Sequence, residues 1–452
     1  MPHVTDRLTR TAQVLLVRGG RIGWRVAVVT LTRWRRQAAL TLALGLALVA
    51  CSQPAPAPAT PAPVTPTPPA STRPPTVAPT LVPTAPPTAA PSPTSPFPQT
   101  FLDIRVWNGS AEIQVDGRTV EPGHLIVPIA EHHIVALVNG QVVDQAITPP
   151  SPEGRQVDLV VPPPLSPLAI VVENQEDARP QSGLPSADVV YETLAEGGIT
   201  RFLAVFLTGD AAPVGPVRSL RHYFAFLAGD YGADLVHIGA SPEGFAWRDA
   251  MNLGKLDESA RDPGMFRVRS RPAPHNAYTS TEQDRQILAA RGRQRGGSWG
   301  PLRFSAPDAP PGGGQPADTL TVSFPPWPYR ARYDWDPSSG HYLRFMNNVP
   351  HNDAETGEQI APASIVVQFA SIEPIPRDDK LRVDIDLVGS SGPLLVFSGG
   401  SQREGTWSKA APREPTRWFD GQGQPVVLPP GRVWVEIVPQ TAAVQASANS
   451  PR

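Results

Sequence analysis

The chain has 452 residues with 57 Pro, 37 Gly, a single Cys and a formal net charge of −2. One thiol excludes an internal disulfide framework and leaves cysteine chemistry to that residue alone. Eight Arg and one acid fall in residues 1–50, so the remainder carries 31 basic against 40 acidic side chains, near −9; that balance disfavours non-specific binding to nucleic acid or to an anionic membrane.

Arg33, Arg35 and Arg36 bracket Trp34, and an uncharged run rich in Leu and Ala fills residues 38–50. A positive end, a short apolar segment and a small residue at the cut follow the order of a secretory signal. The run is about 13 residues, short of the roughly 20 that a spanning helix needs. Leu48-Val-Ala-Cys51 resembles a bacterial lipobox, which implies a Cys51 acylated as the mature N-terminus through a thioether-linked diacylglycerol. Residues 1–32 are long for an n-region: either that region is extended or translation starts near Leu31. Residues 52–99 hold 18 prolines among Ala, Thr, Ser and Val. Proline fixes φ and lacks an N–H, so this stretch is expected to be a disordered, extended linker. At about 3.1 Å per residue it would reach roughly 150 Å.

The rest reads as α+β: a small all-β module at 100–163, an α/β layered domain at 164–307, a mainly β region at 308–440 and a disordered tail at 441–452. In the module, alternation at 102–106 and 111–115 predicts strands, and Asp116-Gly117 and Asn139-Gly140 predict tight hairpin turns. It is loosely similar to surface modules of the PEGA kind. His132-His133 reads as a solvated strand edge. Beyond Pro162-Pro163-Pro164, strands are expected at 168–172, 201–207 and 234–238, and helices at 187–196, 217–227 and 245–251. From 319 onward strands dominate, with expectations at 322–324, 331–335, 342–345, 364–369, 381–387, 394–397 and 433–438. Residues 307–316 read as a flexible excursion.

The polar residues of this part suggest a site. On a helix, Glu192 and Glu196 share one face, which suits acid–base work or a cation; ion pairs to Arg179 and Arg201 are the alternative. A helix at 217–227 places Arg218 and Arg221 on one side. With Arg179, Arg201 and Arg344 they would line a cleft for carboxylate or phosphate, unless they pair with Glu192, Glu196 or Asp188. Pro274-His275-Asn276 and Pro350-His351-Asn352 repeat one tripeptide, and Asp353 stands two residues after His351. These histidines are candidate bases or loop anchors. No metal site and no cofactor is expected. Ser241 reads as a helix N-cap. No Ser-x-x-Lys, His-Glu-x-x-His or phosphate-binding glycine loop occurs.

Several segments fall in a shared order: Ala178-Arg-Pro-Gln-Ser-Gly183, Ala187-Asp-Val-Val-Tyr-Glu192, Gly215-Pro-Val-Arg-Ser219, Ala273-Pro-His-Asn-Ala-Tyr278, His351-Asn-Asp353 and Pro430-Gly-Arg-Val-Trp434. Together they resemble the YerB-like family of bacterial lipoproteins, a family of unknown function (DUF3048) with N-terminal and C-terminal regions. The resemblance implies a lipid-anchored, extracytoplasmic scaffold and hands over no reaction. The expected role is binding of a cell-envelope component: a glycan, an anionic polymer or a partner protein. Trp327, Trp335, Trp407, Trp418 and Trp434 are candidates for sugar stacking or for core. The alternative is an envelope-acting hydrolase or transferase using Glu192, Glu196, His275 or His351.

Overall fold

The computed structural model describes residues 98–448 apart from 295, 306–312, 327, 377 and 379. The leader, Cys51, residues 52–97 of the linker, Trp327 and most of the 307–316 excursion lie outside the described residues.

Seven strands come first: β1 (Gln99–Trp107), β2 (Glu112–Val115), β3 (Arg118–Val120), β4 (Gly123–Pro128), β5 (His132–Val138), β6 (Gln141–Thr148) and β7 (Arg155–Val160). They form a three-stranded sheet, β4-β1-β7, and a four-stranded sheet, β3-β2-β5-β6, over one shared core. Asp116 and Gly117 (φ 51° and 77°) and Asn139 and Gly140 (φ 50° and 74°) make the two expected turns; positive φ at both central residues matches the right-handed twist of the flanking strands. His132 is not a solvated edge. It is buried, with Nδ1 2.7 Å from Asp116 Oδ2, while His133 stays exposed.

Next come β8 (Leu168–Glu173), β9 (Val189–Glu196), β10 (Ile199–Phe206), α1 (His222–Tyr231), β11 (Asp234–His237), α2 (Pro242–Ala250), β12 (Lys255–Asp257), the pair β13 (Phe266–Arg267) and β14 (Ala277–Tyr278), and α3 (Thr281–Ala290). The last part holds β15 (Gln315–Pro316), β16 (Thr319–Ser323), β17 (Arg330–Asp336), β18 (His341–Met346), β19 (Val349–Pro350), β20 (Ser364–Pro374), β21 (Val383–Asp386), β22 (Ser390–Ser398), β23 (Ser401–Lys409), β24 (Arg417–Asp420), β25 (Val433–Pro439) and β26 (Val444–Ser447).

The expected α+β architecture with an α/β layered domain is not what forms. The described residues are mostly strand, with three short α-helices. Residues 187–196 are the clearest departure, since Val189-Val190-Tyr191 lead a buried strand where a helix was expected. β-branched and aromatic side chains fit a pleated surface better than a helix. Residues 217–220 are likewise non-helical, and Arg221 is the extended N-cap of α1. Ser241 does cap α2, its side chain accepting the Gly244 N–H. Residues 444–447, read as tail, form β26. No described helix is long and apolar enough to cross a membrane.

The central sheet runs β12-β11-β8-β10-β9-β25-β20-β22-β23-β15, with β21 on β20 and β24 on β23. Its middle seam is the parallel pairing of β9 with β25, so strands more than 200 residues apart in sequence share one ladder. Both faces are buried. One face, with Val189, Tyr191, Leu203 and Val435, packs against α1. The other, with Val190, Phe202, Ile365 and Trp434, packs against the five-stranded sheet β19-β18-β17-β16-β26. Near-continuous apolar strands follow from burial on both sides.

Candidate functional site

Glu192 and Glu436 are partners in register on β9 and β25, so their side chains lie side by side on the face covered by the five-stranded sheet. That layer supplies Arg344 from β18 and Tyr333 from β17. Glu192, Arg344, His351 and Glu436 are all 0% exposed. Arg344 Nη2 donates to Glu192 Oε2 and to the Tyr329 hydroxyl, the latter at 3.3 Å. Its Nε donates to the Tyr333 hydroxyl at 3.1 Å, and its Nη1 meets His351 Nδ1. The guanidinium lies 4.4 Å from the centroid of the Trp434 ring. One cation thus answers Glu192 directly and lies 4.0 Å from Glu436. Burial, then the Glu192 charge, raise Glu436 well above the usual carboxylate range, so that it holds its proton. The Tyr333 hydroxyl donates to Glu436 Oε1.

Because Arg344 donates to Nδ1, the His351 proton sits on Nε2, which donates to Gln181 Oε1 at 2.9 Å. Burial, then the charges of Arg344 and Arg179, depress His351 well below the ordinary imidazole value and keep it neutral. Gln181 donates onward to Glu173 O and to Asn174 Oδ1, at 2.9 and 3.0 Å. Asn174 Nδ2 closes the chain with Glu192 Oε1 at 3.0 Å and Thr200 Oγ1 at 2.7 Å. This network is continuous and buried. It can hold the two layers in register, and its members are committed to one another.

Glu192 and Glu196 do not act together. Thr200 pairs with Leu194 while Ile199 pairs with Glu196, a bulge that gives β9 one extra residue. The bulge reverses the facing, and Glu196 turns away from Glu192. It binds Arg201 and Arg221 instead, each at 2.5 Å. Against the burial that would raise it, those two guanidinium groups hold its carboxyl below the usual range. Arg201 and Arg221 also donate to Ser219 O and Leu220 O, at 3.0 and 2.8 Å. Asp353 is a loop anchor: its Oδ2 accepts the Gly183 N–H at 2.7 Å, and its Oδ1 accepts those of Glu355 and Thr356.

A third group faces outward. Glu173, at the end of β8, lies 3.0 Å from Arg218 Nε and 2.9 Å from His275 Nδ1. The Arg218 side chain keeps 26% of its exposure. Beside it runs the segment carrying Arg267, Arg269 and Arg271. Arg271 Nη2 donates to Pro180 O at 2.7 Å, which brings this segment against the loop of Arg179. Arg269 is exposed and forms no ion pair among the described residues.

The expected cleft of five arginines is therefore dispersed. Arg344 is interior, Arg201 and Arg221 share Glu196, and Arg179 and Arg218 remain near solvent. Sequence reasoning passed over Gln181, Tyr329, Tyr333 and Glu436. Gln181 sits inside a quoted motif, but Glu436 is signalled only by being a lone acid in an apolar strand. No group of three or more His, Cys, Asp or Glu side chains placed to hold a metal ion occurs among the described residues. Trp407, Trp418 and Trp434 are core, and Trp335 is half-buried against it.

The profile described as Protein of unknown function (DUF3048) N-terminal domain matches residues 161–295, and that of the DUF3048 C-terminal domain matches residues 320–435. A protein of Bacillus subtilis (strain 168) named "Putative lipoprotein YerB" is 34% identical over 283 residues, which is 62% of this chain and 83% of that protein. The crystal structure of YerB protein from Bacillus subtilis aligns with a TM-score of 0.55 at 31% identity, covering 62% of this chain and 94% of that one.

Proposed function

The chain belongs to the DUF3048 family of YerB-like proteins, and from that premise we propose that it is a lipid-anchored extracytoplasmic lipoprotein whose β-rich head binds an anionic component of the cell envelope. Cys51 is the acylated residue that tethers the head to the membrane. One observation carries the binding role: Glu192 and His351, two of the five acid–base candidates, are wholly buried and spent on Arg344, while Glu196, His275 and Asp353 are engaged by Arg201 and Arg221, by Glu173 and by backbone N–H groups. An interior ion pair of this kind is not available for proton transfer to a ligand. The charged groups left near solvent along the motif loops include Arg179, Arg218, Arg269 and Arg271. Guanidinium forks suit phosphate and carboxylate.

The test is sedimentation of the full-length protein, in detergent, with isolated wall material before and after its anionic polymers are stripped. Binding should fall several-fold on stripping, and also when salt rises from about 0.05 to about 0.5 M. Equal binding to stripped and intact walls would refute the reading.

A further inference from the structure

We infer that the cavity between Arg179 and the β18–β19 hairpin receives the free carboxylate end of a short peptide or amino acid, with Glu176 taking the adjacent ammonium. This rests on the reading that the head binds an envelope component, and it gives this cavity a zwitterionic peptide end while Arg218, Arg269 and Arg271 remain for the anionic polymer. The cavity holds about 400 Å³ and is lined by Glu176, Arg179, Met346, Asn347, Val349 and Asn352, among others. That volume lies within the range of small-molecule sites.

Arg179 is already positioned for a ligand. Its Nε donates to Asn174 Oδ1 at 3.2 Å and its Nη2 to Asn174 O at 2.8 Å. The guanidinium is held 5.5 Å from the centroid of the Tyr329 ring. Among the described residues its Nη1 has no hydrogen-bond partner, so one edge of the fork is unspent. Asn347 uses Oδ1 to accept the Arg330 N–H at 2.9 Å, which leaves its Nδ2 to donate. Asn352 is exposed, and its side chain makes no hydrogen bond among the described residues. A fixed guanidinium with amide donors beside it matches a carboxylate.

Glu176 decides between anions. It is exposed on the same lining, one short turn before Arg179, whose N–H donates to Glu176 O at 3.1 Å. Its carboxylate forms no ion pair with Arg179 among the described residues. A negative group there repels a multiply charged phosphate and attracts an ammonium. Met346 and Val349 give an apolar wall for a small side chain.

Titration calorimetry of the full-length protein with alanyl-alanine, its C-terminal amide and its N-acetyl form tests this. The free dipeptide should bind, the amide at least about tenfold more weakly and the N-acetyl form about threefold more weakly. Val349→Trp and Asn352→Asp change exposed positions, so folding is retained, and both should weaken the dipeptide. Equal affinity for the dipeptide and its amide, or no heat up to about 10 mM dipeptide, overturns the assignment. Wall sedimentation of the same preparation separates the two failures. Retained wall binding without dipeptide binding removes only this cavity; loss of both removes the parent reading too.

Discussion

Arg344 and Arg179 touch the same residue, Tyr329, from two sides, and their situations differ in every other respect. Arg344 is wholly buried, all its nitrogens are engaged, and it answers the Glu192 carboxylate beside a protonated Glu436. Arg179 is half-buried, braced by one asparagine, and has an edge facing a cavity. The first works as a bolt between the central sheet and its covering sheet. The second has spare hydrogen-bonding capacity and costs little to bring to a ligand. Burial, more than residue type, separates charge committed to the fold from charge with capacity to spare in this protein.

The hardest blow to the interior side is Arg344→Met. It leaves Glu192 as a buried, unanswered charge, and urea unfolding should register a loss of about 3–5 kcal/mol. Adding Glu192→Gln should restore part of it. A single-variant loss below about 1 kcal/mol would mean that Arg344 is not the bolt.

His351 gives a pH signature. The folded ring stays neutral because burial and the Arg344 and Arg179 charges disfavour its proton, whereas the unfolded ring protonates below about 6.5. The unfolded state therefore binds more protons, and stability falls as pH drops below about 6.5. The slope has a ceiling near 1.4 kcal/mol per pH unit. Unfolding midpoints of His351→Gln across pH 5–7 should lack that component.

Asp284 supplies the opposite sign outside the network. Burial pushes it up to about 7, against the Thr279 hydroxyl that donates to its carboxylate and the nearby Arg285. Between about 4 and 7 the folded chain keeps a proton that the unfolded chain releases. Stability contributed here is full at low pH and is lost as pH rises through that window. Asp284→Asn should flatten this fall by somewhat less than the His351 effect, because the Thr279 hydroxyl and Arg285 counter the burial. An unchanged pH profile would count against the shift. The smallest stability effect belongs to Arg218→Ala: the buried Glu173 keeps His275 as a partner and the lost side chain is partly exposed, so the cost should be about 1 kcal/mol.

The same contrast shows what sequence could reveal. Local rules succeeded where local forces decide. The alternation at 102–106, the Asp116-Gly117 and Asn139-Gly140 turns and the Ser241 cap all depend on near neighbours. They failed at 187–196, where two glutamates spaced four apart drew attention from the β-forming Val189-Val190-Tyr191. The real carboxylate partner of Glu192 is Glu436, brought beside it by the β9–β25 seam. No short-range pattern encodes that pairing, and none encodes the bulge that turns Glu196 away. Interior and half-exposed arginines stood together as ligand candidates, because a sequence does not sort Arg344 from Arg179.

The central claim is that outward arginines bind while the interior acid–base residues only hold the fold together. Sedimentation of wild type, Arg218→Ala and His351→Gln with wall material, at matched folded fraction, tests it most directly. The account predicts several-fold weaker binding for Arg218→Ala and wild-type binding for His351→Gln. Undiminished binding by Arg218→Ala, with binding lost in folded His351→Gln, would contradict it.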